Sequence, residues 1–297
     1  MVLRKIYNYL KYIIYTVLNI KYNGKMKKIH ILNDEKTVEK IINEKISIAR
    51  FGDGEFRWIL NSRDVPKFQK NSIKMGERLK EILKSNNNSV MICIPIILKE
   101  DKYFKMETKL FWKMIMNKYF YKLIPFLNSE QIYGNAQVSR FYIDYMNYKE
   151  STKKINNLRR IWDNRNVLLV EGEDTKFGVN NDLLTNLKSM RRIICPSKNA
   201  FDKYNQILDS IIKNYKKGDL ILLSLGPTAT ILAYDLGIQG YQAIDIGHLD
   251  AEYEWYKLKA ERRIRIKGKN ILEVQEGEND TTNINLEKYN KEIIERV

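Results

Sequence analysis

The chain has 297 residues, of which 44% are hydrophobic and 11% aromatic, so an intrinsically disordered protein is excluded and one or two α/β domains are expected. The 52 Lys and Arg residues outnumber the 36 Asp and Glu residues and give a net charge of +16, but they are scattered, which indicates compositional bias and disfavours nucleic-acid binding. Two cysteines in apolar segments, Cys93 and Cys195, and only two histidines exclude a disulfide framework and a histidine-rich metal site.

The first predicted element is a basic amphipathic helix within residues 1–25. On a helical wheel at about 100° per residue, one face is apolar and the opposite face is polar. Lys11 interrupts the apolar run, so the segment is too short to span a membrane, and it lacks the cleavage site of a secretory signal. Asn23-Gly24 is predicted to end the helix. The apolar face consists of Leu3, Ile6, Leu10, Ile13, Ile14, Val17 and Ile20.

Two interpretations of this helix stay open. Residues 1–28 contain many Lys and Arg residues and no Asp or Glu, which favours binding to the anionic inner face of a membrane. The alternative is a helix that packs on its own domain or on a partner subunit. The expected location is the cytoplasm, with peripheral attachment to the inner membrane face under the first interpretation.

The remaining residues, 26–297, are predicted to form one α/β domain with a Rossmann-like, mostly parallel sheet flanked by helices. Short apolar strands alternate with helical patterns, which is typical of βαβ units. Strands are predicted at residues 46–49, 90–95, 166–170, 192–195, 219–224 and 241–246. Helices are predicted after the Asn33-Asp34 cap, at 75–84, at 107–127, from Ser151 to Trp162, and at 181–189, 198–215, 227–236 and 284–296, with a loop at 276–282.

Polar segments follow four of these predicted strands. Each combines glycine with carboxylates or hydroxyls, and they cover residues 50–55, 171–178, 225–230 and 247–252. Because ligands of open α/β sheets bind outside the carboxyl ends of the strands, this convergence predicts a binding site at that edge.

The first of these segments carries an Asp-x-Glu motif, Asp53-Gly54-Glu55. Two carboxylates on a glycine-flanked turn can both reach Mn²⁺ or Mg²⁺, which prefer oxygen ligands and share them with substrate phosphates. Asp53 and Glu55 are therefore the predicted metal ligands, and Arg50 is predicted to pair with a phosphate. A lone Asp-x-Glu motif also occurs in solvated turns. The prediction of a metal site therefore depends on the other polar segments that follow predicted strands.

The segment Gly226-Pro227-Thr228-Ala229-Thr230 opens a predicted helix directly after an apolar strand. Free backbone N–H groups and the helix dipole favour an anion at such a position. Gly226, Thr228 and Thr230 are therefore predicted to bind phosphate, although an ordinary capped helix is the alternative. The segment matches neither a Walker A loop nor a GxGxxG fingerprint.

A second Asp-x-Glu motif, Asp250-Ala251-Glu252, lies beside His248. Asp250, Glu252 and His248 are the predicted catalytic residues, with a carboxylate as general base for an acceptor hydroxyl. The same carboxylates are the alternative metal site, and a structural role is the alternative for His248. A further cluster is predicted to contact the base or ribose of a nucleotide and consists of Glu171, Lys176, Asn181 and Asp182.

Five stretches of the chain carry a resemblance to a known family. They are Ser47–Phe56, Tyr133–Arg140, Val170–Leu183, Ile194–Phe201 and Gly226–Trp255, spread over about residues 26–275. On these stretches the chain resembles the GT-D fold glycosyltransferases, a bacterial family first described as a domain of unknown function. The resemblance implies a metal-dependent transferase with an Asp-x-Glu motif and a nucleotide-sugar donor, typically a UDP-hexose. The chain departs from the family pattern at Asn180, where glycine is expected. Because Asn tolerates a left-handed backbone better than most residues, the same turn is still expected there.

The resemblance therefore implies a metal-dependent glycosyltransferase that moves a hexose from a nucleotide-diphosphate sugar to a glycan or glycoprotein acceptor in surface glycan synthesis. Mn²⁺ or Mg²⁺ is the predicted cofactor, and no nucleic-acid partner is expected. One alternative is a metal-dependent nucleotide phosphohydrolase, which the same carboxylates and phosphate loop would serve. The other is a basic nucleic-acid-binding protein, which leaves the carboxylates at the strand ends unexplained.

Overall fold

The computed structural model describes residues 2–266, 268–269 and 286–297. The strands within these residues are β1 (His30–Ile31), β2 (Ser47–Arg50), β3 (Val90–Ile94), β4 (Ile132–Asn135), β5 (Asn166–Gly172), β6 (Ser189–Cys195), β7 (Leu220–Ser224), β8 (Ala243–Asp245) and β9 (Ile293–Arg296). They form one nine-stranded sheet in the order β1-β4-β3-β2-β8-β7-β5-β6-β9. Every neighbouring pair is parallel, as expected for a sheet covered by helices on both faces.

The helices of the described residues surround this sheet. They are α1 (Val2–Lys28), α2 (Asp34–Glu44), α3 (Asp53–Ile59), α4 (Ile73–Lys84), α5 (Met106–Lys118), α6 (Tyr148–Arg159), α7 (Tyr204–Asn214), α8 (Pro227–Ile238), α9 (Leu249–Lys257) and α10 (Glu287–Glu292). Strands β3 and β7 are apolar and almost wholly buried, because helices cover both of their faces. The predicted Rossmann-like, mostly parallel sheet flanked by helices is confirmed.

Helix α8 lies directly on the centre of the sheet. Pro227 occupies its first turn, where a missing N–H costs nothing. Near its other end, a β-carbon on Gly237 would overlap the side chains of Val90 and Ser47, so α8 packs closely on β3 and β2. This packing fixes the N-terminus of α8 at the carboxyl edge of the sheet.

The predicted helix at 181–189 is wrong. Residues 181–188 form turns, and β6 begins at Ser189. The Asn181 side chain accepts a hydrogen bond from the Leu183 N–H at 3.1 Å, and the Thr185 hydroxyl donates to the Asp182 carbonyl at 3.0 Å. Such local side-chain bonds compete with helix formation, and they outweigh the helical pattern of the segment.

Helix α1 continues through Asn23-Gly24, which the sequence predicts as its end, and stops at Lys28. Met26 is buried in the core, and the Tyr22 ring stacks on Tyr121 with centroids 5.4 Å apart. Tertiary contacts therefore outweigh the low helix propensity of the Asn-Gly pair. Among the residues that the structure describes, no helix has the length and apolar character to cross a membrane.

Other boundaries also differ from the sequence predictions. Helix α6 begins at Tyr148 with Asn147 as its cap, while the Ser151 hydroxyl, predicted as the cap, donates to the Phe141 carbonyl at 2.9 Å. The helix predicted over 284–296 ends at Glu292 and gives way to β9, which pairs with β6. Strand β4 was not predicted, and the predicted loop at 276–282 lies outside the described residues.

Candidate active site at the carboxyl edge of the sheet

Arg50, the last residue of β2, joins three neighbouring segments. Its Nε donates to the Asp245 carbonyl at 2.7 Å, and its Nη1 donates to the Ala136 carbonyl at 2.9 Å and the Ser139 hydroxyl at 2.6 Å. Its Nη2 lies 3.0 Å from the Asp245 carboxylate. Arg50 therefore ties β2 to β8 and to the turn after β4, and its predicted contact with a phosphate stays a prediction.

Asp245, the last residue of β8, is a buried carboxylate that the sequence analysis missed. Its Oδ2 lies 3.2 Å from the Thr230 hydroxyl, which also lies 3.0 Å from the Arg50 carbonyl. Its Oδ1 accepts the Gly247 N–H at 3.1 Å. The sequence did carry a signal for Asp245, because it is an acidic residue inside a short apolar strand. A buried acid needs polar partners, so such a residue indicates a polar site nearby.

The glycine-flanked turn that carries the first Asp-x-Glu motif is the opening turn of α3. Asp53 is the first residue of the helix; its side chain is 35% exposed and pairs with Arg57 at 2.9 Å. The Glu55 carboxylate turns back and accepts the Gly52 N–H at 2.8 Å. Acidic residues in a first turn are favoured by the helix dipole, so this placement is stable without a bound ion.

Negative charge accumulates around Glu55. Burial raises the pKa of Glu55 to about 7, the carboxylates of Asp245 and Asp53 add to the rise, and the bond from Gly52 opposes it. Among the described residues, no group of three or more His, Cys, Asp or Glu side chains is arranged to hold a metal ion. The all-oxygen pair Asp53 and Glu55 therefore fits Mn²⁺ or Mg²⁺ only with further ligands from a donor phosphate or water.

The N-terminus of α8 has one buried hydroxyl without a partner. Thr228 is fully buried, and its Oγ1 makes no hydrogen bond within the part of the chain that the structure describes. Such an orphaned hydroxyl at a helix N-terminus fits a bound anion. Pro227 has no N–H to offer, and the Ala229 N–H donates to the Gly226 carbonyl at 3.0 Å, so the hydroxyl is the main donor at this end. Gly226 has a φ of +54°, and a β-carbon there would overlap the Phe68 ring. Phe68, another residue that sequence reasoning missed, thus covers the predicted phosphate loop.

The second Asp-x-Glu motif faces the protein interior from α9. Asp250 is 4% exposed; its Oδ1 accepts the Gly178 N–H at 2.9 Å and its Oδ2 pairs with Lys269 at 2.7 Å. Glu252 is fully buried, and its Oε2 accepts the N–H groups of residues 142–143 at 3.2 and 3.0 Å. Both carboxylates hold neighbouring loops in this conformation. His248, just before α9, is partly exposed.

Glu171, predicted to contact the nucleotide, is a buried structural carboxylate in this conformation. Its Oε1 accepts the Arg192 Nη1 at 2.6 Å, and its Oε2 accepts the Phe177 N–H at 2.7 Å. The Arg192 Nε in turn donates to Glu292 at 2.8 Å. This buried network links β5 and β6 to α10 near the end of the chain.

The loop after β5 meets α9. Asn181 Nδ2 donates to Asp250 at 2.8 Å, while Asp182 is exposed and accepts the Tyr253 hydroxyl at 2.9 Å. Lys176 and Asn180 both adopt a left-handed backbone, with φ of +45° and +62°. The turn expected from glycine at the Asn180 position is therefore formed.

The edge thus brings the predicted residues together in two groups. Arg50 and Thr230 contact Asp245, whose charge also acts on Glu55, while Asn181 and Asp250 meet beside Lys269. Glu171 and Glu252 belong to neither group and are fully buried.

Comparisons with known proteins identify the family of this chain. The sequence model of the family described as "Glycosyltransferase GT-D fold" matches residues 48–274. The chain is 35% identical over 272 residues to the glycosyltransferase GlyD of Streptococcus pneumoniae, covering 91% of this chain and 33% of that protein. It is 32% identical over 248 residues to the probable glycosyl transferase Gly of Streptococcus gordonii, covering 83% of this chain and 36% of that protein. The chain therefore spans about a third of the length of these curated relatives.

A solved structure shares the fold as well. The structure of the domain of unknown function 1792, described as having a distinct glycosyltransferase fold, has a TM-score of 0.82 and 32% identity. The match covers 93% of this chain and 98% of that chain.

Proposed function

Because the chain belongs to the GT-D fold family of glycosyltransferases, we propose that it is a metal-dependent enzyme that transfers a hexose from a nucleotide-diphosphate sugar, with a UDP-sugar as the first choice. The observation that carries the proposal is the orphaned Thr228 hydroxyl at the N-terminus of α8. Asp245 connects that helix to the metal motif, since its carboxylate contacts Thr230 and raises the pKa of Glu55. The proposed anion site and the proposed cation site thus share Asp245 as a neighbour, which suits a diphosphate donor that carries a metal ion.

Asp53 and Glu55 are the proposed metal ligands, with Asp53 the more accessible of the two. Mn²⁺ or Mg²⁺ would offset the negative charge that develops on the leaving diphosphate. To bind such an ion, the Asp53 carboxylate has to leave its ion pair with Arg57. Breaking this pair costs only about 1 kcal/mol or less, because the pair is partly exposed. Asp250 with Glu252 stays the alternative pair.

The donor diphosphate is proposed to contact the backbone around Gly226, the hydroxyls of Thr228 and Thr230, and Arg50. Phe68 covers Gly226 in this conformation, so the segment around Phe68 has to shift before a phosphate reaches that backbone. The nucleoside is proposed to contact the loop after β5 through Lys176, Asn181 and Asp182. Glu171 lies within β5, is fully buried and accepts hydrogen bonds from Arg192 and the Phe177 N–H, so it supports this loop from below and is no longer proposed as a nucleoside contact.

The proposed proton acceptor for the acceptor hydroxyl is His248, Asp250 or Glu252. General-base catalysis requires hydrogen-bond contact with the reacting hydroxyl. His248 is partly exposed, whereas Asp250 and Glu252 are only 4% and 0% exposed and cannot reach an acceptor without movement. We therefore favour His248. A His248→Gln variant should lose kcat with little change in the donor KM, and unchanged kcat would transfer the role to a carboxylate.

The proposed acceptor is a glycan or glycoprotein in the synthesis of surface polysaccharide or glycoconjugate. The proposal includes a location at the inner face of the membrane, where lipid-carried glycans are extended. The feature that supports this location is the acid-free helix α1.

The decisive experiment compares Asp53→Asn with the wild type and with Asp209→Asn, which changes an exposed carboxylate on α7. The wild type should gain thermal stability only with a nucleotide-diphosphate sugar and Mn²⁺ together, by about 2.7 kcal/mol at a hundredfold excess over Kd. Asp53→Asn should lose this gain and sugar transfer but keep its unliganded melting temperature, while Asp209→Asn should keep all three. Full transfer by Asp53→Asn would move the metal to Asp250 and Glu252. Donor hydrolysis at the same rate with and without acceptor would instead establish a phosphohydrolase.

A further inference from the structure

Helix α1 packs on the domain through its polar face. The Tyr12 hydroxyl donates to Asp101 at 3.0 Å, and the Asn19 amide donates to the Lys113 carbonyl at 2.9 Å. Asn19 is 4% exposed, although it lies in the middle of the face that the wheel marks as polar. The usual arrangement, with the apolar face toward the core, is therefore reversed.

The apolar face of α1 consequently points to solvent. Its seven residues are between 42% and 83% exposed, and we call them the outward face: Leu3, Ile6, Leu10, Ile13, Ile14, Val17 and Ile20. Tyr7, Tyr9 and Leu18 border this face and are also about half exposed. A row of exposed apolar side chains of this length marks an interaction site.

The charges on α1 identify what covers this face. The helix contains seven Lys and Arg residues and no Asp or Glu. On the same wheel, Lys21, Lys25 and Lys28 fall on the outward side. Lys21 directly follows Ile20, Lys25 and Lys28 lie more than one turn beyond it, and all three are exposed. The outward side is thus an apolar strip that continues into a cationic strip. An occupant must be apolar and anionic, and a second copy of α1 would instead add seven more positive charges.

We propose that the outward face of α1 is the surface by which this protein lies on an anionic lipid bilayer. The apolar side chains enter the boundary of the acyl chains, and the lysines contact the lipid phosphates. Residues 3–20 extend for about 27 Å, so the helix lies along the bilayer surface. The polar face of α1 stays bound to α5, which would hold the catalytic domain against the membrane. The use of this attachment for glycan synthesis rests on the proposed function, whereas lipid binding itself does not.

Vesicle sedimentation of the full chain tests the proposal, without donor or acceptor present. The wild type should bind vesicles of phosphatidylglycerol and phosphatidylcholine in equal amounts, bind pure phosphatidylcholine weakly, and lose affinity as salt rises. The triple variant Leu10→Glu, Ile14→Glu, Val17→Glu should bind the anionic vesicles at least about tenfold more weakly, because it places charge in the apolar strip. Its fold should persist, since all three side chains are exposed.

A matched control carries the same three charge changes at exposed isoleucines elsewhere, Ile73→Glu, Ile132→Glu and Ile238→Glu, and should bind vesicles much more strongly than the triple variant. An equal loss of vesicle affinity in both variants would show that only the net charge of the protein matters and would overturn the proposal. Absence of wild-type binding would overturn it too. The proposal would also be overturned if light scattering showed a dimer of the wild type that the α1 variant dissociates and the control variant does not. Because none of these measurements uses transfer activity, their failure leaves the proposed reaction standing.

Discussion

At the scale of single residues, the candidate site depends on how Arg50 is held. Gly247 follows β8 with a φ of +47°, and a β-carbon there would overlap the Arg50 guanidinium. Gly247→Ala should therefore lower the free energy of unfolding by about 2 kcal/mol or more, from backbone strain together with displaced buried hydrogen bonds. Urea unfolding measures this loss.

Gly218→Ala separates the two causes. Gly218 also has a positive φ, +92°, but no atom lies within 4 Å of a β-carbon placed there. Gly218→Ala should therefore lower the free energy of unfolding only by the cost of the strained backbone, about 1 kcal/mol. Equal losses for both variants would mean that displacement of Arg50 costs nothing.

The sequence predicted some residues of the candidate site and missed others. The rule that ligand residues follow strands selected Arg50 and Thr230, which both contact Asp245, and Glu55, on which the charge of Asp245 acts. It could not select Asp245, since that acid lies within a predicted strand. It could not select Phe68 either, because the covering ring comes from a segment between two helices and depends on tertiary packing.

At the scale of elements, the position of the phosphate loop depends on how closely α8 packs on the sheet. Gly237→Ala would press a methyl group into Val90 and Ser47. We expect a loss of about 1–3 kcal/mol on urea unfolding, although alanine favours helices more than glycine does. Gly24→Ala in α1, where nothing lies within 4 Å, should instead raise stability by up to about 1 kcal/mol. A gain for Gly237→Ala would mean that α8 can move away from the strands.

Element predictions succeeded where one local pattern acted alone. The Asn33 cap and the Pro227 start of α8 were predicted correctly, because cap chemistry is local. They failed where a distant contact decided the outcome. Met26 carries α1 past Asn23-Gly24, and the Asn181 side chain, bound to Asp250, turns a helical pattern into a loop.

At the scale of the whole molecule, a buried ion network fastens the end of the chain to the sheet. Arg192 is 2% exposed and lies between Glu171, which is fully buried, and Glu292 on α10. Arg192→Met should cost about 3–5 kcal/mol in urea unfolding at neutral pH, because it leaves Glu171 buried without its cation. Arg78→Met removes a pair whose arginine is 35% exposed and should cost only about 1 kcal/mol or less.

The pH dependence of the Arg192→Met variant tests the cause of that loss. Burial already raises the pKa of Glu171 above its ordinary value of 4.5, and Arg192 opposes the rise. Without Arg192 the folded-state pKa rises further, so the folded state binds a proton that the unfolded state releases. The deficit of the variant should therefore shrink as the pH falls from neutral toward that ordinary value, and it should grow as the pH rises. A deficit that is constant over this range would indicate lost packing of the arginine side chain, and not an unpaired carboxylate, as the source.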